Sequence, residues 1–322
     1  MKVFVTGASG VIGRRAIPIL RRAGHIVTAT AHSRQSHERL ARLGLSTVSV
    51  SLFDRDELAR TFKSQDVVIN LATHIPHSSL RMFLPGAWRE NDRIRRDASK
   101  AIVDACLATG VSRLIQESFA PVYPDCGDRW IEEETPLRPV RYNQTVADVE
   151  ASARRFEASG RSSVILRFGG FYGSDAWQTR EMVGWVKRGW GPLPGRSTAY
   201  ISSVSHDDAA AAVAAALSLP SGAYNVVDDE PVSHRDFFDT LATALDVGRP
   251  KLPPPWLTPL FGSLGGMLAR SLRISNRKLR SISSWAPEYP SVRQGWRAVV
   301  SALSDGSIPG ERTQGRRAVT RP

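Results

Sequence analysis

Residues 6–13 read TGASGVIG, immediately after the apolar run VFV and immediately before RRAIPILRRAG. No other feature restricts the fold of this chain as tightly. Gly7 permits a tight turn, Gly10 lets the backbone approach a pyrophosphate, and Gly13 lets a helix lie close against a sheet. The helix N-terminus adds amide donors and positive potential. Three glycines alone are a weak signal. Here a strand precedes them (2–6), and a helix follows with Ile12, Ala16, Ile17, Leu20 and Ala23 near helical spacing. A second strand, HIVTATA (25–31), lies beyond. That context predicts a dinucleotide site contacted by Gly7, Ala8, Ser9, Gly10, Val11, Ile12 and Gly13.

The alternation continues along the chain. After a polar turn come the helix SHERLARLG, the strand STVSVSLF (46–53), a helix around 55–63 and the strand DVVINLA (66–72). A long helix over 91–108 and the strand SRLIQES (112–118) follow. Short apolar strands alternating with helices predict an α/β fold, a Rossmann-type doubly wound parallel sheet. Past about 160 the rhythm changes. SSVILRFGGFYG (162–173) reads as one further strand, DDAAAAVAAALSL (207–219) as an Ala-rich packed helix, and AYNVVDD (223–229) as a strand. Ser233 reads as the cap of a helix running through about 246. The expected division is an NAD(P)-binding domain over 1–160, with strand 162–173 and helix 207–219 returning to it. A smaller C-terminal substrate lobe is drawn mainly from 174–303, and a flexible basic tail covers 304–322.

Composition removes several classes. With 322 residues, 42% of them hydrophobic, the chain can fill one large core or two joined ones. Its longest apolar run, WLTPLFGSLGGMLA (256–269), is shorter than the roughly 20 residues of a membrane-spanning helix, and reads as a buried or pocket-capping helix. Cys106 and Cys126 offer neither metal-like spacing nor a disulfide framework, which fits a reducing, cytoplasmic setting. The net charge of +12 is spread along the chain and partly lies in the last segment. With no nucleic-acid-reading motif beside it, it describes a basic solvated surface that favours anionic ligands. Residues 1–37 are basic and lack acids, but a strand and a glycine turn begin at once, so they read as structure rather than as a targeting segment. The expected partner is a small-molecule substrate, with no nucleic acid and no membrane, for a monomer or homodimer.

The second strand ends where an adenosine ribose is bound. NAD sites place an acid there, about 20 residues beyond the turn. The sequence instead runs TATAHSRQS (28–36), with no acid before Glu38. His32, Ser33 and Arg34 suit a 2′-phosphate, Arg34 being the best cation, so NADP is expected, with NAD as the alternative. Ser51 and Leu52, at the end of the third strand, are further candidate cofactor contacts.

Several separated segments share a pattern: TGASGVIG, INLAT (69–73), Asn91 opening the long helix, SFAPVYP (118–124), RFGGFYG (167–173), and SHDDAA (205–210) ahead of YNVVDD. Over roughly 1–303 the chain thereby resembles the extended short-chain dehydrogenase/reductase superfamily, of the NAD(P)-dependent epimerase/dehydratase type. The resemblance implies that Leu71, Ala72 and Thr73 line the cofactor. It also implies that Gly169, Gly170 and Phe171 lie near its nicotinamide end.

The resemblance further implies a catalytic Ser or Thr, a Tyr, and a Lys four residues after the Tyr that lowers its pKa. Here RYNQTVADVE (141–150) gives Tyr142 and then Val146, with Glu150 of the pattern retained. In SFAPVYP, Val122 and Tyr123 set the register, so Phe119 takes the reactive position and Ser118 stands one earlier. One step along a strand reverses the side-chain direction. Pro124 replaces a usual glycine. The chain is therefore an atypical member. The candidate catalytic residues are Tyr142, Ser118 and His74, the last at the open end of the sheet beside His77. Tyr123 and Glu117 are alternatives to Tyr142.

Three functions fit. The first is an NADP-dependent oxidoreductase that reduces the carbonyl of a small, fairly hydrophobic molecule. The second is a redox-neutral epimerase, dehydratase or cyclase. The third is an NADP(H)-binding sensor without turnover. An enzyme is expected ahead of a sensor. Trp177, Trp185, Trp190, Trp256, Phe261 and Met267 are candidates to wall an apolar pocket.

Overall fold

The computed structural model describes residues 1–305, and the part of the expected tail beyond Asp305 lies outside the described residues. Seven parallel strands form the central sheet: β1 (Lys2–Thr6), β2 (Ile26–Thr30), β3 (Ser46–Val48), β4 (Val67–Asn70), β5 (Arg113–Phe119), β6 (Ser162–Phe168) and β7 (Gly222–Val226). Their order is β7-β6-β5-β4-β1-β2-β3. The direction of winding reverses between β1 and β4, where Val5 pairs with Ile69 and Thr6 with Asn70. Such a switch point opens the crevice in which sheets of this kind bind ligands.

Alternation along β1 explains why both faces are covered. Val3 and Val5 face one core with Ile69, Ile115 and Leu166, closed by α1 (Gly13–Arg22) and by the Ala-rich helix His206–Ala215. Phe4 faces the other with Val68, Leu114 and Ile165, closed by α2 (Arg55–Phe62), α3 (Ser99–Leu107) and α4 (Thr145–Glu157). Each side chain of this size stabilises the fold by about 1.5–3 kcal/mol when fully buried.

Two expected elements are divided. The stretch 162–173 is one strand only as far as Phe168. The Gly169 amide still donates to Val226 in β7 (3.1 Å), whereas the Gly170 amide donates to Ser202 (2.9 Å). Gly170–Tyr172 then pairs with Ser203–Ser205 outside the central sheet. The expected helix over 91–108 comprises an α-helical turn Arg89–Arg93, a π-helical turn Ile94–Ala98 and then α3.

Beyond the central sheet, Tyr172, Phe237, Phe238, Leu241, Trp296 and Val299 form a separate core. It joins the helices His234–Ala244 and Val292–Ser304, and the rings of Tyr172 and Trp296 lie 5.3 Å apart. Ser233 accepts from the Asp236 amide at 3.0 Å and caps the first of these helices. The apolar run 256–269 is a 3-10 helix, Pro255–Phe261, followed by the short helix Gly262–Leu268, which packs on the turn Arg141–Asn143. Among the described residues no helix is long and apolar enough to cross a membrane.

Candidate active site

The glycine turn lies at the mouth of the crevice. Gly7 has φ +66°, and a Cβ there would lie 2.4 Å from the Leu71 carbonyl oxygen. At Gly13 a Cβ would lie 2.5 Å from the Gly7 carbonyl oxygen. Both contacts are too close for any side chain, so the turn holds β1, β4 and α1 together. Gly10 is exposed, and a Cβ there would approach only the Gly7 carbonyl oxygen, at 3.1 Å. Among the described residues the Val11 and Ile12 amides have no acceptor, and the first turn of α1 carries no acid. Open space, free amides and a helix N-terminus fit a dinucleotide pyrophosphate.

A polar chain fixes the crevice floor. Thr6 Oγ1 donates to Asn70 Oδ1 at 2.6 Å, and Asn70 Nδ2 donates to Gln116 Oε1 at 3.0 Å. Asn70 Oδ1 also accepts from the Ala72 amide (3.3 Å). Leu71 is buried against Gly7, Ala72 is half-buried, and Thr73 and His74 are exposed at the strand end. The His74 amide donates to Asn91 Oδ1 (3.0 Å), which ties this loop to the helix opposite.

His32, Ser33 and Arg34 are exposed just past β2. Ser33 Oγ accepts from the Ser36 amide at 3.1 Å and starts the helix Arg34–Ala41. Arg34 Nε donates to Glu38 at 2.9 Å, an exposed pair. Ser51 is exposed and its amide donates to Glu57 (3.0 Å), whereas the Leu52 side chain is packed in the core beside α2. Gly169 is buried and Gly170 exposed. Phe171 is partly open, with its ring 5.3 Å from Phe168 and 6.0 Å from His206.

The catalytic candidates do not all come together. Ser118 is buried and donates to Glu150 Oε1 at 2.7 Å. Glu150 also receives Arg167 in a two-pronged pair, 2.8 Å on each oxygen. Burial opposes ionisation of Glu150, but the hydrogen bonds and charge of Arg167 outweigh it and hold the carboxyl below its usual range. Ser118 thus serves a buried network with Glu150 and Arg167. Tyr123 belongs to the same network, donating to Asn225 (2.9 Å) and accepting from Arg167 (2.6 Å).

Tyr142 is placed differently. It lies on the single turn Arg141–Asn143 ahead of α4, its ring edge-on to Trp88 with centroids 4.6 Å apart. Among the described residues its hydroxyl has no hydrogen-bond partner. Burial pushes its pKa above the ordinary tyrosine value, Arg95 pulls against that rise and Asp92 adds to it. Val146 is buried in the first turn of α4 and offers no charge. Asn143 donates to the Met267 sulfur (3.4 Å), which seats the short apolar helix beside the turn. His74 and His77 have ring centroids 5.9 Å apart on the facing loop. Phe261 meets Phe83 at 5.6 Å, whereas Trp185, Trp190 and Trp256 are largely exposed, so the tryptophans do not gather into one wall.

Two residues at the site carried no sequence signal. Asp175 binds Arg14 and Arg15 of α1 and accepts a hydrogen bond from His206 Nδ1 at 3.0 Å, the histidine being held neutral by burial. It fastens the helix behind the glycine turn to the chain leaving Gly170–Tyr172. Arg95 is buried on the π-helical turn, paired with Glu117 at 3.1 Å.

A glycine turn over a parallel-sheet switch point defines a dinucleotide-binding α/β protein, and the chain matches a model of that class. It belongs to the NAD dependent epimerase/dehydratase family, over residues 3–226. Among curated relatives, the "3-diazoavenalumate denitrifying reductase" of a Streptomyces species is 29% identical over 308 residues, 92% of this chain and 99% of that protein. The "2-alkyl-3-oxoalkanoate reductase" of Shewanella oneidensis is 25% identical, over 85% of this chain and 73% of that protein. Among solved structures, a human epimerase family protein with NADPH superposes with a TM-score of 0.80 at 19% identity, covering 94% of this chain and all (100%) of that one. The chain is thus a member of this family with reductases and a protein named as an epimerase family member among its curated relatives.

Proposed function

We propose that this protein is an NADP(H)-dependent reductase of a small, fairly hydrophobic carbonyl compound, with Tyr142 as proton donor. The observation that carries this reading is the free, half-buried Tyr142 hydroxyl beside Trp88, with no lysine four residues on. When bound, the cofactor supplies hydride. Tyr142, kept neutral by burial, donates its proton to the oxygen that becomes negative, a form of help that reduction needs and alcohol oxidation does not. The turn 7–13 and residues 71–73 hold the dinucleotide. His32, Ser33 and Arg34 receive the 2′-phosphate, although Glu38 shares the charge of Arg34. The division of labour is a nucleotide-binding domain over 1–160 with returning elements, and a substrate lobe over 174–303.

Turnover of NADPH with a panel of aryl and alkyl aldehydes and ketones tests this. Tyr142→Phe is expected to lower kcat by at least about tenfold, the lower side of what a lost acid catalyst costs. Full activity in that variant moves the donor role to His74.

A second reading is favoured by the relative matched over almost its whole length, together with Val146 and Phe119 at the positions of the missing lysine and serine. That relative's name describes reductive loss of nitrogen from a diazo compound. Hydride addition to the terminal nitrogen of Ar–N≡N⁺ gives Ar–N=NH, which breaks its C–N bond to leave Ar–H and N₂. For such a diazonium cation no acid is required, whereas a neutral diazo compound takes up one proton as well as the hydride. NADPH-dependent N₂ release that persists in Tyr142→Phe supports this reading over carbonyl reduction.

A further inference from the structure

We infer that Arg95 is the cation that serves Tyr142 in this protein, in place of the lysine that Val146 displaces. Trp88, Asp92 and Arg95 are spaced four and three residues apart, which places them on one helix face. The first two already touch the segment that carries Tyr142: the Trp88 ring meets the Tyr142 ring at 4.6 Å, and Asp92 Oδ1 accepts from Thr145 Oγ1 at 3.0 Å. Arg95 is the next residue of that stripe, at the start of the π-helical turn Ile94–Ala98. Single π-turns inside α-helices are frequent at functional sites.

The guanidinium is only partly used. One Nη donates to Glu117 at 3.1 Å, while the buried Nε has no partner among the described residues. A buried orphan donor on an arginine is costly unless something else is bound there. The charged groups of this helix that act on the Tyr142 hydroxyl are Arg95, which pulls its pKa down, and Asp92, which pushes it up. The helix Gly262–Leu268, packed on the same turn, carries no titratable side chain. Of the two charges, only Arg95 stabilises the tyrosinate that remains once Tyr142 has given its proton away. Arg95 is a positioning residue in this account. Its charge reaches the reaction through Tyr142.

This inference rests on Tyr142 as donor, so the test is made without substrate. A fluorinated tyrosine, whose hydroxyl ionises at an accessible pH, is placed at position 142 and its ¹⁹F shift followed against pH in the full chain. Arg95→Met is expected to raise the midpoint by about one unit or more, as loss of a near cation does. Arg95→Lys is expected to keep it near the wild-type value. If Arg95→Met does not fold, Glu117→Gln provides the second reading, because removing the anion that shares Arg95's charge is expected to lower the midpoint. Midpoints unmoved in the folded variants overturn the inference, whatever the protein's substrate proves to be. Unchanged NADPH turnover in Tyr142→Phe, by contrast, counts against the proposed donor and leaves the Arg95–Tyr142 coupling measured.

Discussion

Ser118 and Gly10 show how differently two small residues near one crevice contribute. Ser118 donates to a buried carboxylate, so Ser118→Ala leaves Glu150 short of a partner. The expected result is a loss of about 1–3 kcal/mol in unfolding free energy by urea titration, with turnover per folded molecule unchanged. A collapse of kcat at unchanged stability contradicts this and restores a catalytic role. A Cβ at Gly10 would meet only the Gly7 carbonyl oxygen, at 3.1 Å. Gly10→Val is expected to keep the thermal midpoint within a few degrees and to abolish NADPH binding by fluorescence titration. Unchanged affinity in the folded variant means that the turn is structural only. For Arg34→Ala we expect NADPH affinity to fall toward that of NADH. Tighter NADH binding by the wild type reverses the cofactor assignment.

At the scale of elements, the helical stretch 89–107 carries the Arg95 charge argued above, and the helix His234–Ala244 carries a second. The second begins with His234, which is buried at a helix N-terminus with its Nε2 unpartnered. Burial lowers its pKa to about 4 from 6.5. The helix N-terminus also disfavours a cation. Because the unfolded chain binds the proton more readily, this residue's contribution to stability is full above pH 6.5. It is lost as pH falls toward 4, at up to about 1.4 kcal/mol per pH unit. The buried acids Asp208 and Asp228 are held up by burial and act with the opposite sign in part of this range. The difference between wild type and His234→Gln isolates the histidine. We expect the variant to lose less stability than wild type between pH 6.5 and 4.5 in chemical denaturation. Parallel curves contradict the assignment.

The same scale shows what the sequence made legible. Strand-turn-helix order around TGASGVIG sufficed for the sheet, because buried parallel strands are short apolar runs and the turn chemistry is local. The break after Phe168 was hidden, since RFGGFYG is apolar on both sides of Gly169 and only Ser202, distant in sequence, takes over the hydrogen bonding. The π-turn was hidden for a similar reason: Ile94–Ala98 has the composition of an ordinary helix. Ser118 was legible as displaced, because one strand step reverses its direction, but its partner Glu150 is 32 residues away. Arg95 and Asp175 were illegible. Each acts through partners brought near only by the fold.

For the whole molecule, a seven-stranded parallel sheet stands beside a separate core built around Tyr172, Phe237, Phe238 and Trp296. Asp175, bound to Arg14, Arg15 and His206, links the helix behind the glycine turn to the chain that follows Gly170–Tyr172. Asp175→Asn is expected to lower the thermal midpoint and to weaken NADPH binding together, since both follow from a loosened α1. In the proposed function this architecture delivers hydride from NADPH to a carbonyl carbon. Its most direct test uses the two epimers of [4-²H]NADPH with the carbonyl panel and mass spectrometry of the products. Deuterium is expected on the carbinol carbon from one epimer and not from the other. Tight NADPH binding with no label transferred to any carbonyl compound contradicts it.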